Sequence, residues 1–190
     1  MPNWLKNFFQ GAWEILETVI IAAVTVFLIR TYLVQPFLVS GASMSPNFSD
    51  GNYILIDEIT YRFRDPDRGE VIVFRYPSDK SLFFIKRIIG LPGERIMSQN
   101  GSIGIFNSDQ KIVLHEQYLP PEFKSNDNFD VTLGVDQYFV LGDNRYHSFD
   151  SRNWGAVSRT DIIGLAKLRI LPLDEFGLFK APTYESATSQ

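Results

Sequence analysis

The 190-residue chain contains no cysteine. That absence excludes a disulfide framework and a thiol nucleophile, and it leaves the redox compartment undecided. Histidine is nearly as scarce. His115 and His147 are the only two and lie far apart, which argues against a zinc site, and no metal or cofactor is expected. A surplus of positive charge is missing too: 18 Lys and Arg face 22 Asp and Glu, a net charge of −4, with no basic block to hold nucleic acid. Internal repeats are absent. What remains is 45% hydrophobic residues with 13 glycines and 10 prolines scattered along the chain, enough for one core of ordinary size and many short turns.

Only one stretch approaches a long hydrophobic run, the uncharged segment from Thr18 to Ile29. It is shorter than the ~20 residues of a comfortable membrane span. Continuing through Arg30 to Val34 supplies the length, because an arginine near a helix end snorkels to the headgroups and Trp13 and Tyr32 suit the two interfaces. The rival is a cleaved export signal ending in the small residues Ser40-Gly41-Ala42, but Ala42 lies well beyond Ile29, past Pro36. A single span is therefore expected. Flanking charge does not orient it, since Lys6 is offset by Glu14 and Glu17 and Arg30 lies on the other side.

After Pro36 the helical period gives way to short strand-patterned runs at residues 52–56, 70–74, 82–89, 137–141 and 162–170. Asp50-Gly51, Asp67-Arg68-Gly69, Pro92-Gly93 and Gly142-Asp143-Asn144 mark the corners. This spacing predicts a mainly β protein, an antiparallel sandwich or barrel-like domain behind one N-terminal transmembrane helix. The expected organisation is a tail at 1–13, an anchor at 14–34, a β domain at 37–172 with a small cap-like insertion at 96–136, and a tail at 173–190. Residues 181–190 are polar and small, so disorder is expected there.

Lys86 stands out because it interrupts the run from Leu82 to Ile89, where a strand calls for apolar side chains. An ammonium buried there is costly unless it snorkels out or loses its proton. With a reference pKa of ~10.4, only about one lysine in 2,500 is neutral at pH 7, so a useful general base needs a downward shift of roughly 2–3 units. Phe83, Phe84, Ile85 and Ile88 are positioned to impose one. The bland alternative is an edge-strand lysine that blocks aggregation. Ser43, in the turn-rich Ser40-Gly-Ala-Ser-Met-Ser-Pro46, is either an ordinary turn serine or the nucleophile such a base would activate. A third cluster, Gly142 to Arg152, is dense in hydrogen-bonding groups. It suggests loop-bracing pairs of Asp150 with Arg152 and Asp143 with Arg145, a second hydroxyl in Ser148 to hold the lysine, or a Ser-His-Asp arrangement through His147.

With these residues in place, the sequence resembles the type I signal peptidases, membrane-anchored Ser-Lys proteases. Ser40 to Pro46 is similar to their nucleophile box, Arg68-Gly-Glu-Val-Ile-Val-Phe74 to the first core strand, Lys86-Arg-Ile-Ile-Gly-Leu-Pro-Gly-Glu94 to the lysine box and Gly142 to Arg152 to the final box. Four boxes in family order behind a hydrophobic segment make the resemblance specific; it spans roughly Phe37 to Pro172. It implies Ser43 as nucleophile, Lys86 as general base and Ser148 as the residue that positions the lysine. Asp150 and Arg152 match a structural ion pair, with Asp143 an acidic position nearby. Asn47 stands where threonine is usual and Glu94 where aspartate is, and neither is expected to touch the chemistry. Gly41 replaces a serine that some relatives use in the oxyanion hole, so backbone is expected to substitute and Gly41→Ser to be tolerated.

The resemblance further implies cleavage of N-terminal signal peptides from exported preproteins after small residues at −1 and −3, in shallow pockets lined by Phe37, Val39, Phe84 and Ile85. The expected partners are signal peptides and a lipid bilayer, with no nucleic acid. The chain is expected to be a monomer, single-pass in the cell membrane, with its catalytic domain on the outer face. A self-cleaving repressor-type Ser-Lys peptidase, a histidine-triad hydrolase and a catalytically dead peptide-binding module are the competing readings.

Overall fold

The computed structural model describes residues 3–32, 34–107, 110–182 and 184, with side chains described outside 3–9, 28–34 and 110. Helix α1, Asn3–Tyr32, begins well before the expected anchor at 14–34 and ends at Tyr32, just short of its expected end. Between Gln10 and Phe27 it is strongly apolar, and no residue of that stretch is buried among the described residues. Trp13, Ile15, Ile21 and Phe27 are exposed on it. By length and composition this helix is able to cross a bilayer.

Beyond it the chain is mainly antiparallel β, as the turn spacing predicts. The larger sheet contains β1 (Val34–Leu38), β2 (Tyr53–Asp57), β3 (Val71–Tyr76), β4 (Asp79–Gly90), β9 (Gln137–Leu141), β10 (Val157–Ser158) and β11 (Ile162–Leu171), ordered β1-β2-β11-β3-β4-β9-β10, with β12 (Gly177–Leu178) paired to β11. Every expected strand run is present, with its ends shifted by up to three residues. Both faces of this sheet are covered. In β3, Val71 and Val73 join a core with Val39, Met44, Phe48 and Ile54, while Ile72 and Phe74 join a second core with Ile88, Tyr138 and Val140. Hence the near-continuous apolar run in place of strict alternation.

The expected insertion at 96–136 forms its own four-stranded sheet, in which β5 (Arg95–Gln99) lies between β6 (Ser102–Asn107) and β8 (Phe129–Thr132), and β7 (Gln110–Val113) pairs with β6. A third core joins Ile96, Ile103 and Ile105 of this sheet to Ile89 on β4 and Phe139 and Leu141 on β9.

Two relationships position the site. Strand β4 is paired along its length with β3, but β9 reaches it only from Arg87 onward, where Arg87 faces Leu141. Lys86 thus lies one residue outside the doubly paired region, and the chain leaving β9 at Gly142 turns away beside it. On the other side, the loop after β1 carries Ser43 in a turn closed by Ser45 N–H donating to the Ala42 carbonyl, 3.2 Å, and followed by a second turn in which Phe48 N–H donates to the Met44 carbonyl, 2.9 Å.

The segment after Pro172 does not leave the fold as a tail. It turns through Leu173–Glu175, adds β12 to the sheet and stacks Phe179 on Phe48, ring centroids 4.0 Å apart. Disorder was the expectation from residue 181, yet Pro182 and Tyr184 lie close over Gly69, whose missing side chain leaves room for them. Aromatic and prolyl groups supply the apolar contact that a count of small polar residues misses. Thr183 and residues 185–190 fall outside the described set.

Candidate active site

Lys86 is 4% exposed, and its Nζ donates to Ser43 Oγ at 2.8 Å and to the Ile85 carbonyl at 2.8 Å. Burial pushes the amine down to about 8, against the opposing pull of the Asp150 and Asp143 carboxylates. At that value about one amine in ten is neutral at pH 7, against about one in 2,500 for a free lysine. The Phe84 ring lies 5.5 Å from Nζ and is itself fixed by stacking on Tyr76 at 4.8 Å. The edge-strand reading of Lys86 therefore fails: the side chain points into the protein and meets a hydroxyl.

The Ser43 turn is fastened to the Gly142–Arg152 segment. Asn144 N–H donates to the Ser43 carbonyl at 3.0 Å, and its side-chain amide to the Ala42 carbonyl at 3.2 Å. Gly142 makes the approach possible, since a Cβ there would sit 2.2 Å from Ser148 Oγ and 2.4 Å from the Ser43 carbonyl oxygen. Ser148 is thereby placed in the same cluster. Its Oγ is buried, but it makes no hydrogen bond with any described residue, Lys86 included. The Ser43 amide likewise donates to none of them and stands free beside Oγ.

The acidic residues divide differently from one part of the expectation. Asp150 does pair with Arg152, through Nε and Nη2 at 2.8 Å each, while accepting from Gly142 N–H at 3.0 Å and capping the short helix Ser151–Trp154. Asp143, however, does not pair with Arg145. It takes Arg87 in a bidentate contact of 2.8 and 2.6 Å, because the Arg87–Leu141 register brings that guanidinium beside the end of β9. Arg145 turns instead to Glu116 from the insertion, both side chains buried. Burial alone would raise the Glu116 carboxyl, yet the Arg145 guanidinium holds it below its ordinary value.

Glu116 carried no sequence signal, lying in a loosely patterned stretch. Asn47 does not touch the serine or the lysine, but it braces the site. Its side-chain amide donates to Asp143 at 2.8 Å, so it ties the Ser43 turn to the carboxylate that fixes Arg87, the neighbour of Lys86. Glu94, by contrast, pairs with Arg68 and accepts from Leu91 N–H at 2.7 Å, away from the serine and lysine. Gly41 has φ +89°, and its amide donates to Asp50 at 2.7 Å. Its role is to turn the chain, and its N–H is already committed; the expectation that a serine fits there is overturned by a backbone angle that side-chain-bearing residues rarely adopt.

A cleft of about 350 Å³ opens over the pair, with Phe37, Val39, Phe84 and Ile85 all in its walls. Val39 is buried in its floor. The outer half of β4, which β9 does not reach, forms one side, and the chain from Phe37 to Ser43 the other. His147 also borders this cleft, but the group on the Ser43 hydroxyl is the lysine. Chemically, a hydroxyl held by a buried, readily deprotonated amine beside an unoccupied backbone N–H and an apolar groove is suited to acyl transfer.

Sequence comparison agrees with the chemistry. The profile of the family described as signal peptidase, peptidase S26, matches residues 12–171. A probable signal peptidase I-2 from Synechocystis sp. is 36% identical over 178 residues, covering 89% of this chain and 78% of that protein. Signal peptidase I P of Bacillus subtilis subsp. natto is 33% identical over 169 residues, covering 84% and 89%. Signal peptidase I U of Bacillus subtilis is 36% identical over 168 residues, covering 83% and 87%. With the match running from the apolar helix through the last long strand of the sheet, this chain belongs to the peptidase S26 family of signal peptidases.

Proposed function

We propose that this chain is a membrane-anchored serine endopeptidase that removes N-terminal signal peptides from exported preproteins. The observation that carries the reading is the 2.8 Å contact between Ser43 Oγ and a buried Lys86 Nζ. In the neutral amine the direction of that hydrogen bond reverses: Ser43 donates its proton to Nζ as Oγ attacks the scissile carbonyl. The free Ser43 amide supports the oxyanion that forms. The lysine then gives the proton to the departing amine, leaving the signal peptide esterified to Ser43. A water activated by the same amine hydrolyses that ester and restores the enzyme. Ser148 is the lysine-positioning hydroxyl of this reading: its buried Oγ has no hydrogen-bond partner among the described residues and lies beside Gly142, close to the Ser43 carbonyl.

The cleft favours an extended substrate. The unpaired outer edge of β4 accepts a strand, and the apolar walls at Phe37, Val39, Phe84 and Ile85 suit small side chains at −1 and −3. The exposed apolar helix supports single-pass anchoring, with the catalytic domain on the outer face where exported chains emerge.

The test is direct. The full chain in detergent, given a preprotein whose signal ends in Ala-x-Ala, releases one cut product, and Ser43→Ala releases none. Equal cleavage by Ser43→Ala, or loss confined to His147→Ala, sinks the Ser-Lys reading in favour of another nucleophile or a histidine base. Peptide binding without cleavage by the wild type identifies a binding module instead.

A further inference from the structure

Besides its ties to Asn144 and, through Asn47, to Asp143, the Ser43 turn is backed by a part of the chain outside the machinery described so far. In front, Asn144 fixes the carbonyls of Ala42 and Ser43. Behind, the contacts come from the C-terminal strap. Phe48, fully buried and closing the turn that begins at Met44, is covered by the Phe179 ring at 4.0 Å in a stacked arrangement. Arg169 on β11 lies over the outer side of Phe179, 5.0 Å from its centroid, and donates through Nη2 to the Asn47 carbonyl. Its other terminal nitrogen pairs with Glu175. The strap is in turn tied to β11, by the Leu168–Leu178 and Arg169–Gly177 pairings and by Phe179 N–H donating to the Lys167 carbonyl at 2.9 Å. Phe48 also packs with Val39, Met44, Ile54 and Val73 in the core, and Phe179 adds the strap's aromatic cover to that packing.

We propose that Phe179, clamped by Arg169, is a positioning residue for Ser43: the C-terminal strap presses the nucleophile turn against Asn144 and so sets the register of Oγ on Lys86. This rests on the reading of Ser43 as nucleophile. Phe179 lies outside the cleft walls, so its removal leaves substrate binding intact and loosens only the reacting hydroxyl. A displacement of about 1 Å at a reacting atom costs on the order of a hundredfold in rate.

The experiment compares full-length variants in detergent on a preprotein, reading kcat and KM separately together with the thermal midpoint. Phe179→Ala lowers kcat roughly 10- to 100-fold with KM within about twofold. Phe179→Tyr, which keeps the ring, stays within about twofold of wild type in both. Ile105→Ala, in the core of the four-stranded sheet, serves as a variant destabilised without contact to the turn, and retains its kcat at temperatures where it is folded. Acylation of Ser43 by a mechanism-based serine reagent slows in Phe179→Ala in parallel with kcat. If Phe179→Ala does not fold, Phe179→Leu carries the same comparison.

The proposal is overturned if Phe179→Ala or Phe179→Leu keeps wild-type kcat, if KM alone rises, or if the loss is matched by Ile105→Ala at an equal fall in thermal midpoint. It also falls if Phe179→Tyr loses as much as Phe179→Ala. A wild type that cleaves normally while Ser43→Ala also cleaves overturns the functional reading itself, and with it the strap.

Discussion

Arg87 and Asp143 face one another as a bidentate pair, 6% and 0% exposed at the side chain, one residue along β4 from the buried amine of Lys86. The pair joins the lysine strand to the loop that leaves β9, and Asn47 joins the same carboxylate to the serine turn. One buried carboxylate therefore contacts all three segments that build the site.

Removing that carboxylate's charge leaves a guanidinium buried without its counter-ion. Asp143→Asn is expected to cost about 3–5 kcal/mol of stability, the range for breaking one partner of a buried pair. Chemical unfolding of the full chain measures it; a loss below about 1 kcal/mol would show that the pair contributes as little as an exposed one.

The buried amine sets a pH dependence. Lys86 acts as base only when neutral, and burial brings it down to about 8. Activity is thus low where the amine is protonated and rises with pH through a midpoint near 8, falling tenfold per pH unit well below it. A profile of kcat/KM that stays flat down to about pH 5 contradicts a lysine base.

The same burial has an opposite consequence for folding. The folded-state value lies below the unfolded one of 10.5, so the unfolded chain binds more protons between about 8 and 10.5 and the burden of charging the site grows as pH falls through that window. Below it, Lys86→Met is expected to abolish cleavage while gaining up to roughly 3 kcal/mol of stability, the equivalent of the pKa depression. Unfolding curves at pH 7 and pH 10 decide this. A variant less stable than wild type at both values would give Lys86 a structural role.

Gly41→Ser places a side chain where φ is +89°. We expect a cost of about 1–3 kcal/mol and a fall in kcat from the disturbed Ser43 approach, even though no atom lies close enough to clash. Gly41→Ala should lose nearly as much. Unchanged stability and raised kcat in the serine variant would instead restore the hydroxyl as a useful oxyanion donor.

The strands were legible because each is a local pattern bounded by a glycine or aspartate turn, and the serine and lysine because each violates its local pattern. A lysine in an apolar strand has few explanations. Glu116, Asn47 and Phe179 were not legible, and the reason is common to them: each acts through a partner far along the chain, Arg145, Asp143 and Phe48 respectively. Nothing within a window of neighbouring residues distinguishes such a glutamate from a solvated one. Gly41 misled for the converse reason, since composition shows a missing hydroxyl while the required backbone angle is invisible until the turn is folded. Ser148 falls between these cases. The resemblance brought it to the site, and the structure places it over Gly142 without the hydrogen bond that would display its role.

Helix α1 ends at Tyr32 and β1, whose end leads into the cleft wall, begins at Val34. The covalent path from Tyr32 to Ser43 spans at most about 40 Å even if drawn straight. With α1 seated in a bilayer as proposed, the reacting hydroxyl is on a short leash. It sweeps a shell no deeper than that span beyond the helix end, so peptide bonds farther out in solution lie beyond its reach whatever their sequence. Selectivity would then begin as a matter of altitude above the lipid, settled before any side chain enters a pocket.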